Sequence, residues 1–287
     1  MAILGATSGA RRRPARKSRR PPRGVRFLPS KRARRRLGRA FRRAPPIVQA
    51  VVTVAIVLAL ALAINWVYQV IRKPSELFFP VSGTLNKTPR ETWRQYGPIF
   101  RAHSTDVMTP ELLAALAQVE ASGNPVARTY WRWSLRPRFF ELYRPASSAV
   151  GMYQITDGTF QIARHYCIHD HRVAEQGAWD DWHACWFNSL YFRVIPSHAV
   201  ELTSAYLAVS VESLLERHGI SRASLSEKQE LAALIHLCGA GAGDAYVRRG
   251  FRLSAGQRCG DHDARGYVGR VSAMRAVFAE LATGDPD

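Results

Sequence analysis

The feature that most constrains this chain is an uncharged apolar run from Ile47 to Ile71. It consists mostly of Ala, Val, Leu and Ile, with Trp66 and Tyr68 near its end. A helix of this length is long enough to cross a hydrocarbon core of about 30 Å. A signal peptide has a shorter apolar core of about 7–15 residues and a brief basic start, whereas a long basic segment precedes this run. We therefore predict a single uncleaved transmembrane helix over residues 46–71.

The positive charge of the chain is concentrated before this helix. Residues 1–44 contain 17 of the 41 Arg and Lys residues and no acidic residue. Because Arg and Lys stay on the cytoplasmic side of a span, we expect residues 72 onward to lie outside the cytoplasm. We predict that residues 1–45 are a disordered tail that attracts anionic lipid headgroups. Nucleic-acid binding is the less favoured alternative, since Phe27 and Phe41 are the only aromatic residues in the tail.

Four cysteines follow the apolar run. They are Cys167, Cys185, Cys238 and Cys259. An even number in an oxidising compartment favours two disulfides, and of the three possible connectivities we favour pairing of sequence neighbours. Zinc is the alternative for the first pair, through Cys167-x-His169 and His183-x-Cys185. That spacing is not typical of a zinc finger or ribbon, so we expect no metal and no cofactor.

Beyond the apolar run, the pattern predicts a linker followed by a mainly helical domain. Residues 72–105 carry Pro, Gly and Thr around one helical candidate, Pro89 to Phe100, and we interpret them as a linker that provides reach and a packing helix. Residues 106–287 contain four or five amphipathic helical patterns, which is enough chain for one core. The predicted helix starts are Thr109, Thr156, Ser197, a capping box at Ser226–Gln229, and Asp263.

The most informative segment of that domain runs from Leu112 to Phe160. Thr109 is a suitable N-cap for a helix, and Glu120 then falls in the last turn, before Ser122-Gly123-Asn124-Pro125. A carboxylate there meets the negative end of the helix dipole and apolar neighbours, which both favour its protonated form. We therefore expect a raised pKa for Glu120, as a general acid requires.

Two motifs in this segment resemble the soluble lytic transglycosylase family of the lysozyme-like superfamily. The first is Glu120 followed by Asn124-Pro125 and Ala127, and the second is Gly151-Met152-Tyr153-Gln154-Ile155 after Ala149. The resemblance implies that Glu120 is the catalytic residue and that Gly151 and Gln154 contact the substrate. It also implies a mainly α, lysozyme-like fold with a small β-flap. We expect the substrate-binding residues to be Gly151, Met152, Tyr153, Gln154, Ser147 and Tyr246.

A third family motif is only partly present. The segment His236-Leu237-Cys238-Gly239-Ala240-Gly241-Ala242-Gly243 is similar to the family's Ala-Tyr-Asn-Ala-Gly-x-Gly, with Cys238 at the position of a substrate-contacting Tyr. Tyr153, Tyr246 or Tyr267 could supply the missing hydroxyl, and the sequence does not choose among them.

An aromatic segment lies between the first two motifs. Trp131, Trp133 and Leu135 alternate with polar residues, which predicts a hairpin strand. Two interpretations stay open: a wall of aromatic and Arg side chains that binds glycan strands, or a β-flap that covers its own core.

The family resemblance implies a membrane-anchored lytic transglycosylase that cleaves peptidoglycan outside a bacterial inner membrane. One Glu acts first as acid and then as base, and the product has a 1,6-anhydromuramic acid end. The alternatives are a lysozyme-like muramidase, which needs two carboxylates, or a weakly active peptidoglycan-binding scaffold of an envelope assembly. Besides glycan strands and membrane, envelope proteins are candidate partners, and nucleic acid is not an expected one.

Overall fold

The computed structural model describes residues 31–78, 82–133, 143–177, 181 and 184–284. The chain forms two compact units, residues 1–60 and 61–287. In the described part of the first unit, α1 spans Lys31–Arg43 and α2, Pro46–Arg72, begins. The predicted disorder is therefore wrong for Lys31–Arg43, because Arg, Lys, Ala and Leu are good helix formers. Residues 1–30 of the predicted tail lie outside the described residues.

Helix α2 contains the predicted apolar span. Its segment Pro46–Ile71 has a mean hydropathy of 2.8 and is the one helix, among the described residues, that is long and apolar enough to cross a membrane. The prediction of a single apolar helix of membrane-spanning length is confirmed.

The second unit is mainly helical, as predicted. After α2 its helices are α3 (Pro89–Ala102), α4 (Pro110–Ala121), α5 (Asp157–Ala163), α6 (Pro196–Arg217), α7 (Leu225–Cys238), α8 (Ala240–Arg248) and α9 (Ala264–Thr283). Short 3₁₀ helices cover Pro74–Phe78, Ser82–Leu85 and Cys185–Leu190. The packing helix predicted over Pro89 to Phe100 is present as α3.

Three antiparallel two-stranded hairpins complete the described part. Their strands are β1 (Trp131–Trp133) with β2 (Tyr143–Pro145), β3 (Tyr166–His169) with β4 (Arg172–Glu175), and β5 (Arg258–Cys259) with β6 (His262–Asp263). In the first hairpin Trp131 pairs with Pro145 and Trp133 with Tyr143, so the predicted strand is present. Leu135, Phe139 and Phe140 of the aromatic segment lie outside the described residues.

Helix α4 lies at the centre of the core. Every residue from Leu112 to Ala117 is buried, on all sides of the helix rather than along one stripe. The small side chains of Ala114, Ala115 and Ala117 let neighbouring helices approach closely. Helices α3 and α9 pack directly against α4, and Phe100 and Phe278 are both fully buried in the same core. Glu120 therefore follows directly on a helical segment that is enclosed by the core on all sides.

Several predicted helix starts are correct. The Thr109 hydroxyl accepts from the Leu112 N–H, Thr156 accepts from Thr159, and Asp263 accepts from Gly266.

Two other predicted starts are wrong. The capping box of α7 is formed by Ser224 and Glu227, two residues before the predicted Ser226–Gln229. Helix α6 begins at Pro196 after Ile195, not with Ser197 as a cap, because the fixed φ of proline suits the first helical position.

The segment after α2 is not the free linker that the sequence predicts. Lys73 Nζ lies 3.0 Å from the carbonyl oxygen of Ala149, and Glu76 is completely buried. This segment therefore attaches to the domain within the first turn after α2.

Candidate active site

Glu120 is in the last turn of α4, where the sequence predicts it. Ser122 caps the helix with a left-handed backbone, φ 50°, and the chain turns away at Gly123. The Glu120 side chain is 17% exposed, so it is mostly enclosed and still reachable from outside. A catalytic carboxylate needs this combination of enclosure and access.

Two side chains from distant parts of the sequence bind the same oxygen of Glu120. The Tyr267 hydroxyl, in the first turn of α9, donates a hydrogen bond to Oε1. His236 Nε2, near the end of α7, lies 3.4 Å from Oε1. Tyr267 is 3% exposed, so its position is set by the core. Glu120 is therefore held in one orientation by two helices.

The electrostatics of this cluster reverse the predicted pKa shift of Glu120. Burial raises the pKa, as expected, but the hydrogen bond and positive charge of His236, the Tyr267 hydroxyl and nearby His262 together lower it below its ordinary value. The prediction of a raised pKa was wrong because it included burial and the helix dipole but not these partners. Burial and the Glu120 carboxylate raise the pKa of Tyr267 well above its ordinary value, so this hydroxyl remains a donor.

The two carboxylate oxygens of Glu120 differ in their contacts. Among the described residues, no group forms a hydrogen bond with Oε2, whereas Oε1 has both partners. His236 also lines a cleft of about 250 Å³. Other polar residues of this cleft are Gln154, Thr156, Thr159, Thr203 and Tyr206. His236 therefore contacts both the Glu120 carboxylate and this cleft, whose lining is partly polar and partly apolar.

Of the three tyrosines considered from the sequence, Tyr267 is the one that contacts Glu120. The Tyr246 hydroxyl instead donates to Glu230, 2.9 Å away, and the Tyr153 hydroxyl donates to the carbonyl oxygen of Leu113. The expectation that Tyr246 binds substrate is therefore wrong: it is 3% exposed and its hydroxyl is occupied inside the fold.

Gly151 and Gln154 position the loop that follows Glu120. The Gly151 N–H and the Gln154 side-chain amide both donate to the carbonyl oxygen of Ala127, at 2.9 and 3.2 Å. Gly151 has φ 81°, and a Cβ there would lie 2.3 Å from the backbone oxygen of Arg193. Gly151 therefore serves the backbone geometry, whereas Gln154 both ties the loop and lines the cleft.

The remaining expected substrate residues are not at the cleft. Met152 and Tyr153 are completely buried, so they belong to the core and the prediction that they bind substrate is wrong. Ser147 is exposed, but its hydroxyl accepts from the Ala149 N–H and its carbonyl accepts from Lys73, at the base of the first hairpin. Of the six residues expected to bind substrate, Gln154 is the one that lines this cleft among the described residues.

The cysteines pair as predicted. Cys167 bonds to Cys185 and Cys238 to Cys259, with Cα atoms 5.3 Å apart in each pair. Cys167 and Cys185 are thus not available as zinc ligands, and His183 lies outside the described residues. The second disulfide joins the end of α7 to β5, just before the turn that leads to His262. It therefore links α7, which carries His236, to the β5–β6 hairpin, which carries His262 and leads into α9.

Sequence reasoning missed His236 and His262. His236 is the first residue of the segment that contains the partial third motif, and that position was the available signal. His262 begins β6, on the other side of a tight turn from Cys259, where no local pattern marks it. Both act on Glu120 only through the tertiary fold.

No protein-family model matches this sequence, and no curated protein matches it.

Proposed function

We propose that this protein is a membrane-anchored lytic transglycosylase that cleaves the β-1,4 bond after N-acetylmuramic acid in peptidoglycan. The observation that carries the proposal is the state of Glu120: Oε1 is bound by Tyr267 and His236, while Oε2 has no partner among the described residues. One oxygen orients the carboxyl group, and the other exchanges a proton with the substrate. The motifs around Glu120 and Gly151 supply the link to peptidoglycan.

In the proposed first step, Glu120 acts as the acid. The protonated carboxyl group donates its proton to the glycosidic oxygen, and the bond from that oxygen to C1 of the muramic acid breaks. The lowered pKa of Glu120 means that the resting site favours the carboxylate. A bound glycan strand would exclude water from this partly exposed side chain and so raise its pKa toward the acid form.

In the second step, the Glu120 carboxylate is the base. It takes the proton of the sugar's own 6-hydroxyl as that oxygen bonds to C1, which forms the 1,6-anhydro ring and restores the acid. The hydrogen bonds from Tyr267 and His236 stabilise the negative charge between the two steps. No water enters the reaction.

The ion pair of Asp157 with Arg193 favours this route over hydrolysis. Of the two candidates for a partner acid, Asp157 is engaged by Arg193 at 2.7 Å and is 68% exposed, and Glu141 lies outside the described residues. A hydrolase needs a second carboxylate within about 5–9.5 Å of the first. The single-residue mechanism does not.

The proposed location follows from α2 and the basic residues before it. Helix α2 crosses a bacterial inner membrane, the basic segment stays in the cytoplasm, and the helical domain faces the periplasm, where peptidoglycan lies and disulfides form.

Digestion of purified sacculi by the full chain tests the proposal, with mass spectrometry of the released products. Wild type should release anhydromuropeptides, and Glu120→Gln should release none. Glu111→Gln, in the first turn of the same helix, is the matched control and should stay active. Reducing ends in place of anhydro ends would indicate a muramidase, and binding without release would indicate a scaffold; either result overturns the proposal.

A further inference from the structure

The last turns of α2 are bound to the first hairpin, β1–β2. Asn65 and Gln69, four residues apart and so on one face of the helix, are only 5% and 7% exposed. The Asn65 side-chain amide donates to the carbonyl oxygen of Tyr143 in β2, at 2.7 Å. The apolar helix therefore has a small polar face, which the sequence analysis overlooked, and that face contacts the hairpin.

A buried charge cluster fixes the same contact immediately after α2. Glu76 is completely buried, and it pairs with Lys73 at 3.3 Å and with Arg128 at 3.3 Å. The Trp131 indole N–H, in β1, donates to Glu76 at 2.8 Å. A buried carboxylate with two cationic partners holds its neighbours firmly, because separating them would leave a charge in the interior. The hairpin is thus rigidly attached to the end of α2.

The other side of these same turns of α2 is apolar and exposed. Ile64, Val67 and Ile71 are 55%, 49% and 73% exposed. They belong to the segment whose length and hydropathy suit a membrane, so lipid is the natural environment of their side chains. The apolar surface therefore continues along the helix to the level at which Asn65 and Gln69 contact the hairpin.

The hairpin carries the side chains that favour a membrane–water interface. Tyr130 and Trp133 are 69% and 68% exposed, and Arg132 between them is also exposed. Large aromatic rings of this kind are enriched at the headgroup level of bilayers, where an apolar body and a polar edge are both accommodated. An arginine beside them can pair with lipid phosphate.

We propose that the β1–β2 hairpin rests in the headgroup region of the bilayer crossed by α2 and contacts lipid through Trp133 on one face of β1 and through Tyr130 and Arg132 on the other. The hairpin then holds the helical domain against the membrane. The distance of the domain from the bilayer is therefore fixed rather than set by a free linker. This inference depends on α2 crossing a bilayer and is independent of the chemistry of Glu120. It assigns Tyr130 and Trp133 to lipid rather than to glycan.

Depth-dependent quenching tests this surface. In the full chain, reconstituted in nanodiscs of phosphatidylethanolamine and phosphatidylglycerol, Trp133→Cys adds one free thiol, which is labelled with an environment-sensitive fluorophore. Leu225→Cys is the solvent control, since Leu225 is 48% exposed. The first turns of α7 lie near the start of α4, at the opposite end of α4 from Glu120. The contact that places them there is the hydrogen bond from the Gln229 side-chain amide to the carbonyl oxygen of Val107, at 3.1 Å. Val54→Cys, in the apolar span, reports insertion of α2 itself.

We expect lipids with a nitroxide near the headgroup to quench the Trp133→Cys label several-fold more strongly than the Leu225→Cys label. If the Val54→Cys label is quenched and the Trp133→Cys label is quenched no more than the Leu225→Cys label, α2 is inserted in the bilayer and the inference about the hairpin is wrong. Protection of the Trp133→Cys label by soluble glycan strands, without quenching by lipid, would also overturn it in favour of a glycan-binding wall.

Discussion

The hydroxyl of Tyr267 donates a hydrogen bond to Oε1 of Glu120, which joins the first turn of α9 to the last turn of α4. The two residues are 147 positions apart in the sequence. This contact orients the carboxyl group and helps to lower its pKa.

Replacing Tyr267 with Phe should raise the pKa of Glu120, because the carboxylate loses a hydrogen bond that stabilises its charge. A general acid works in its protonated form, so activity falls as the pH rises through its pKa. The fall in kcat/KM with rising pH should therefore move to higher pH in Tyr267→Phe. Tyr246→Phe, whose hydroxyl contacts Glu230, is the control. Equal pH profiles for wild type and Tyr267→Phe would contradict the role given to Tyr267.

Replacing His236 with Phe should lower kcat/KM about 100-fold, the usual effect of removing one donor that stabilises a developing charge in an active site. His236→Gln keeps an N–H donor and should retain more activity than His236→Phe. His218→Gln removes a histidine that pairs with Asp244 at 2.9 Å, and it should leave kcat/KM unchanged. Steady-state rates on soluble glycan strands measure all three. A fully active His236→Phe would rule out a part for this residue in the reaction.

Removing the second disulfide should affect the site as well as stability. The Cys238→Ser, Cys259→Ser double variant should lose about 3 kcal/mol of unfolding free energy, because the unfolded chain is no longer constrained. It should also lose activity well below its melting temperature, since β5–β6 and the start of α9 are no longer tied to α7. Denaturant unfolding and sacculus digestion measure the two effects.

The first disulfide provides the comparison for that double variant. Cys167→Ser, Cys185→Ser should be destabilised by a similar amount, because the loop that it closes is of similar length. Its activity at low temperature should remain near wild type. Equal losses of activity in both double variants would show that the lower stability alone, and not a change at the active site, reduces activity.

Replacing Gly151 with Ala should destabilise the domain by about 1–3 kcal/mol. The left-handed backbone at φ 81° is unfavourable for alanine, and the new Cβ would meet the backbone oxygen of Arg193 at 2.3 Å. Gly158→Ala, in α5, has no atom within 4 Å of its new Cβ and should be neutral or slightly stabilising. Thermal unfolding of the two variants decides the point, and equal melting temperatures would contradict the account of Gly151.

Local patterns in the sequence were sufficient to predict the apolar helix, the position of Glu120 and the strand at Trp131. Each depends on residues within a few positions of one another: the uncharged run, Thr109 as a cap before a periodic segment, or alternation of aromatic and polar residues. The cysteine pairs were predicted from their order along the chain, and the structure joins them in the same order.

The partners of Glu120 could not be predicted in this way. His236 and Tyr267 reach it only because α7 and α9 pack against the core around α4, and no local pattern encodes that approach. The predicted direction of the Glu120 pKa shift was wrong for the same reason. The hairpin β3–β4 was also missed, since its turn uses Asp170 and His171 with positive φ, a conformation that the sequence does not signal without glycine.

The most direct test of the central claim is digestion of sacculi by the full chain in water enriched in ¹⁸O, followed by mass spectrometry of the new glycan ends. If Glu120 acts as acid and then as base on the sugar's own hydroxyl, the new ends are anhydro sugars that carry no ¹⁸O, and Glu120→Gln produces none. New reducing ends that carry ¹⁸O would show that water is the nucleophile and would contradict the proposed reaction.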